Sequence, residues 1–158
     1  MIGIKENIST HFLYPSNLFV SKERHYVTTI LGSCVAICLY NTKYHYGGIN
    51  HYMLPLWNGN GLASPRYGNI ANEKLYEKLK QLGSLDGHLI AKVFGGANQI
   101  NSTTSIGEKN INVAFDMLKE FKINVVAQSV GGTIGRKIIF DTYSGAVKMK
   151  FVKEQKKE

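Results

Sequence analysis

Cys34 and His51 are the two residues of this chain whose types could do covalent chemistry together. An imidazole beside a thiol either takes its proton or holds a thiolate–imidazolium pair, and the sulfur then attacks an acyl carbon. Attack creates an oxyanion that needs positioned N–H donors. Gly32 and Ser33, just before the cysteine, put backbone amides beside it with little side-chain bulk in the way. Ser33 is thus a candidate oxyanion-side or substrate contact, although a plain turn residue reads the same way. Cys38 is a different case. On one strand the two cysteines would lie about 13 Å apart, at roughly 3.3 Å per residue. That separation excludes a disulfide between them and argues against a shared zinc site with His51, so Cys38 reads as a small buried hydrophobe. His11, His25, His45 and His88 stand in polar, loop or strand-start contexts and read as structural or exposed. Residue types alone leave a duller alternative open, a core cysteine and a structural histidine.

The elements that must position the pair lie within Thr28–Pro55. The apolar, β-forming runs Val35–Tyr40 and Gly48–Leu54 flank the turn-prone tetrapeptide Asn41-Thr42-Lys43-Tyr44. With those residues as the loop, antiparallel pairing sets Tyr40 opposite His45 and Cys34 opposite His51. Directly opposed residues have Cβ atoms about 4.5–5.5 Å apart on one face. A slip of one residue would turn the two onto opposite faces.

Around this hairpin the chain reads as strands, then alternating strands and helices, then a closing hairpin. Leu18–Val20 and Tyr26–Ile30 are short strands. Leu56–Gly68 is glycine-rich and irregular, and its place directly after His51 makes it a candidate lid or substrate-binding edge. Ala71, Leu75, Leu79 and Leu82 recur at helical spacing, with Asn69 expected at the N-cap and Gly83 just past the end. A strand, His88–Phe94, is broken at Gly95-Gly96. The polar loop NQINSTTS leads to a second amphipathic helix near Gly107–Phe121. Ile123–Gln128 is a strand, and Lys137–Asp141 with Ala146–Val152 forms a hairpin. The order implies an α+β fold, a layered α/β/β sandwich with mixed and antiparallel sheets and both helices on one side. Residues 18–152 form one expected domain, 1–17 an N-terminal arm or edge element of unassigned role, and 153–158 a basic tail.

At 158 residues a single domain is expected, large enough to bury a core without disulfides. MIGIKENISTHF lacks the apolar core of a secretory signal, and the apolar run through Val27–Tyr40 is broken by polar residues. A cytoplasmic location is the expectation. The formal charge of +8 invites a nucleic-acid reading, but five of the nineteen basic residues lie in the final KMKFVKEQKKE. The others are dispersed without arginine clusters, which argues against a nucleic-acid module. A basic surface equally suits an acidic protein partner.

LGSCVAICLY followed by GGINHYMLP resembles the signature of the CheD family of chemoreceptor glutamine deamidases. The likeness continues through PRYGN, AKVFGGA and IGEKN, and ends in AQSVGGTIGRKIIFDTYSGAVKM, covering roughly residues 18–152. The resemblance implies hydrolysis of receptor glutamine side chains to glutamate through a cysteine thioester. Cys34 would be the nucleophile, His51 the general base and acid, and Thr28, rather than Thr29, the residue orienting the imidazole. It places Gly95 and Gly96 near the cleft and requires no metal or cofactor. It further implies chemoreceptor cytoplasmic helices as substrate, with no membrane insertion, and a CheC-type phosphatase as a possible partner. That partner also gives an alternative role, a binding module that regulates the phosphatase. Gly135 departs from the proline common before the basic pair in the last glycine loop.

Overall fold

A computed structural model describes residues 7–98 and 105–152. The NQINSTTS loop lies for the most part outside the described residues, as does the 153–158 tail. Eleven elements run in the order β1 (Ser9–Phe12), β2 (Asn17–Ser21), β3 (His25–Leu31), β4 (Val35–Asn41), β5 (Tyr46–His51), α1 (Gly68–Gln81), β6 (Leu89–Gly95), α2 (Ile106–Glu120), β7 (Asn124–Val130), β8 (Arg136–Asp141) and β9 (Val147–Phe151). Two sheets form, one ordered β1-β3-β8-β9 and the other β2-β5-β4-β6-β7. Both are mixed: β1 runs parallel to β3 and β6 parallel to β7, and the remaining pairs are antiparallel.

Strand alternation on β4 explains the layering. Val35, Ile37 and Leu39 face the helices and pack with Ala71, Leu75, Leu79, Ala114 and Leu118. Ala36 and Cys38 face the second sheet and pack with Val27, Leu31, Ile138 and Phe140. A strand buried on both faces has no polar side to show, hence its near-continuous apolar sequence. The result is the expected α/β/β sandwich, with Cys38 inside the inter-sheet core. α1 starts earlier than its sequence suggested. Tyr67 is its N-cap, and Asn69 instead accepts the Trp57 N–H at 3.0 Å. Gly83 follows the helix at φ +105°, as a C-terminal cap requires.

The N-terminal stretch contributes more than an arm. β1 is an edge strand against β3, and Leu13, 1% exposed, sits in the inter-sheet core.

The hairpin register differs from the expected one. Asn41 pairs with Tyr46 and Cys38 with Ile49, and Val35 bridges Tyr52. Continued along the strands, this sets Ala36 opposite His51 and Met53 opposite Cys34. The loop is Thr42–His45 rather than Asn41–Tyr44. Asn41 keeps its strand pairing while its side-chain Oδ1 accepts the N–H groups of Lys43 and Tyr44, both at 2.9 Å. The turn thus begins one residue later and closes through His45 at φ +59°. That moves every pairing by two residues, which preserves faces. Cys34 and His51 become diagonal neighbours, with backbones about 7–8 Å apart.

Candidate active site

His51 ends β5 and lies 1% exposed between the sheets. Its backbone is pinned by β2, where it pairs with Asn17 and its carbonyl accepts the Ser16 N–H at 2.8 Å. Its ring Nδ1 lies 2.7 Å from Thr29 Oγ1, and that hydroxyl lies 2.7 Å from the Leu13 carbonyl. A carbonyl only accepts, so the single hydroxyl proton goes to Leu13, and Nδ1–H must donate to Thr29. This fixes the tautomer. Nε2 carries the lone pair, and it is buried with no hydrogen-bond partner among the described residues. Burial lowers the His51 pKa to about 4, so the ring is neutral at physiological pH.

Thr28 is not the residue on the ring. Val27, Thr29 and Leu31 alternate inward on β3, whereas Thr28 and Ile30 lie on the opposite face. The signal that finds Thr29 is local: it sits between two inward apolar residues.

Cys34 lies in the turn between β3 and β4, partly buried against the inter-sheet core. Burial raises its thiol pKa, and its own backbone N–H opposes that shift more weakly. The resting pair is therefore neutral thiol and neutral imidazole, rather than thiolate and imidazolium. The turn is held by the glycines named from sequence. Gly96 N–H donates to the Cys34 carbonyl at 2.8 Å, and Ala97 N–H donates to the Gly32 carbonyl at 2.9 Å. Gly95, at φ +109°, lies so close to the Cys34 carbonyl that no Cβ would fit. With its amide engaged in this way, Gly96 braces the turn. Gly32 has open space where a Cβ would sit, so no neighbour enforces that glycine. The Ser33 amide has no partner among the backbone hydrogen bonds of the described residues, and the Cys34 amide lies beside its own thiol. Two braces carried no prior signal. Arg136, 3% exposed, donates to the Gly131 carbonyl at 2.9 Å and to Ser129 Oγ at 3.0 Å. Asn110 of α2 donates to the Ser33 and Met53 carbonyls, both at 3.0 Å.

A cleft of about 270 Å³ opens over Cys34, lined by Ser33, Met53, Leu54, Arg66, Ala97, Asn98, Ile106 and Gly107. No acidic side chain is among them. The first turn of α2 supplies Ile106 and Gly107, so the positive end of a helix dipole faces the cleft over Cys34. Of the glycine-rich loop after His51, Arg66 reaches the cleft. Its carbonyl accepts the Met53 and Leu54 N–H groups at 2.9 and 3.1 Å, which staples the loop's neck to the end of the histidine strand. Among the described residues no cluster of His, Cys, Asp and Glu could hold a metal, and no helix is long and apolar enough to cross a membrane.

A family model described as CheD chemotactic sensory transduction matches residues 53–151, beginning just past His51. The chain is 48% identical over 151 residues to a protein of Trichlorobacter lovleyi named "Probable chemoreceptor glutamine deamidase CheD", covering 94% of each chain. It is 47% identical over 147 residues to a protein of the same name from Sulfurimonas denitrificans, covering 90% of this chain and 94% of the other. A third relative with that name, from Hydrogenovibrio crunogenus, is 36% identical over 92% of this chain.

Proposed function

The chain belongs to the CheD family, and on that premise we propose that it is a cysteine-dependent deamidase acting on glutamine side chains of chemoreceptor cytoplasmic helices. The observation that carries this reading is the tautomer lock on His51, which leaves a buried, unprotonated Nε2 on the face it shares with Cys34. A neutral base matches a neutral thiol. As the sulfur attacks Cδ of the glutamine, Nε2 takes the thiol proton, so charge is created only when the acyl acceptor is in place. The contact between sulfur and Nε2 closes on substrate binding, as catalytic hydrogen bonds commonly tighten in the complex. The oxyanion forms beside the amides of Ser33 and Cys34 and the N-terminus of α2.

His51 then returns its proton to the departing ammonia, leaving a thioester on Cys34. It next takes a proton from water, whose oxygen attacks the thioester carbonyl. Glutamate leaves, and the proton returns to sulfur. Thr29 holds Nδ1–H through each step, as a neutral acceptor that also steadies the transient imidazolium. The cleft is open on one side, which suits a side chain presented laterally from a long helix.

The test is ammonia release from a purified chemoreceptor cytoplasmic fragment, run beside small thioester and methyl-ester substrates. The proposal expects the fragment to be converted without backbone cleavage. Cut peptide bonds, or turnover of small esters with none of the fragment, would replace it with a general cysteine hydrolase.

A further inference from the structure

Outside the pair itself, Asn110 bonds to the chain beside both of its members. It is 0% exposed, on α2, and faces the helix-side surface of the sheet. Its side-chain NH2 donates to the Ser33 carbonyl, next to the nucleophile, and to the Met53 carbonyl, two residues beyond the base. Its backbone carbonyl accepts the Tyr52 hydroxyl at 2.6 Å, and Tyr52 sits between His51 and Met53. Three bonds from one residue thus reach the chain on both sides of the cleft floor. The amide orientation is dictated, because the flipped form would aim an oxygen at two carbonyl oxygens. In this orientation Oδ1 is buried without a partner among the described residues.

Resting on the deamidase reading above, we propose that Asn110 is the positioning residue of the reaction. It clamps the Cys34 turn to the end of the His51 strand, so that thiol and imidazole stay in register while the glutamine is bound. It does not touch the substrate. The same helix lends its first turn to the cleft wall, so the clamp also fixes that wall relative to the nucleophile. With the two carbonyls released, the turn and the strand end are free to separate. Misplacement by about 1 Å costs a reaction of this kind about 100-fold in rate.

The experiment compares wild type, Asn110→Ala and Asn110→Ser for turnover on the receptor fragment, and for the pH profile of Cys34 alkylation by iodoacetamide. Asn110→Ala is expected to lower kcat about 100-fold with KM within about twofold. Asn110→Ser, which keeps one donor, should fall between, and serves as the test where the alanine variant fails to fold. In both variants the alkylation midpoint should move to lower pH as the loosened turn lets solvent reach the thiol. A folded Asn110→Ser protein with wild-type kcat and an unmoved alkylation midpoint would overturn the proposal. If the wild type deamidates nothing, the deamidase reading fails, yet the alkylation profile still decides whether Asn110 holds the nucleophile.

Discussion

Replacing Thr29 with valine removes one oxygen and almost no volume, and that oxygen is the node that orients the His51 ring. Its hydroxyl accepts from His51 Nδ1–H and donates to the Leu13 carbonyl, each at 2.7 Å. Thr29→Val therefore leaves two buried groups unpaired, at about 1–3 kcal/mol each. The sum, roughly 2–6 kcal/mol, is a large share of the 5–15 kcal/mol that holds a typical domain. Thermal unfolding should show a marked drop in Tm. Activity should fall further than stability explains, because the ring is then free to place its proton on Nε2. A positioned general base contributes about 10²–10⁴-fold, and since the productive tautomer stays partly populated, a loss near 100-fold in kcat is expected. Thr29→Ser keeps the oxygen and should retain most of the rate. Thr28→Val, on the opposite face of β3, should change kcat by less than about threefold, since it alters a side chain that points away from the ring and leaves the backbone bond to Leu13 in place. The assay is steady-state ammonia release on the receptor fragment, with circular dichroism confirming fold. Full activity in Thr29→Val together with its loss in Thr28→Val would refute the tautomer argument and restore the residue the resemblance implied.

Stability should also depend on pH through His51. Its folded pKa is about 4, against about 6.5 in the unfolded chain. Between those values the unfolded chain binds a proton that the native state does not, so stability rises with pH across the window and is lost as pH falls from about 6.5 to 4. The contribution is on the order of 3 kcal/mol, and denaturant melts of His51→Gln should lack that part of the slope. Cys38→Ala should keep full turnover while losing about 1 kcal/mol of stability, since Cys38 lies in the inter-sheet core away from the cleft. Gly95→Ala should cripple the Cys34 turn, because its Cβ would meet the Cys34 carbonyl at a backbone angle that side chains rarely adopt. Soluble yield and turnover should both collapse in that variant. A CheC-type phosphatase, if it docks over the same cleft, should still be bound by Cys34→Ala in a pull-down.

Much of the fold was legible because periodicity changes cleanly along the chain. The apolar run from Val35 to Tyr40 announced a strand, which the structure buries on both sides, and the Ala71, Leu75, Leu79 spacing announced α1. Turn chemistry was read less well. Asn41 belongs to the strand and to the turn at once, and that double role moved the register by two residues. The error left Cys34 and His51 on one face, so the pairing survived with a different geometry. Thr29 was passed over because the resemblance points to the threonine six residues before Cys34, whereas it is the neighbouring hydroxyl that meets the ring. Leu13, Asn110 and Arg136 act through backbone carbonyls brought close only by tertiary packing, which no local pattern in the sequence encodes.

Peptide mass analysis of a receptor cytoplasmic fragment, after incubation with wild type and with a folded Cys34→Ala protein, tests the central claim most directly. Conversion of specific glutamines to glutamate by the wild type, absent with Cys34→Ala, is the predicted result. Equal conversion by the two proteins would contradict it.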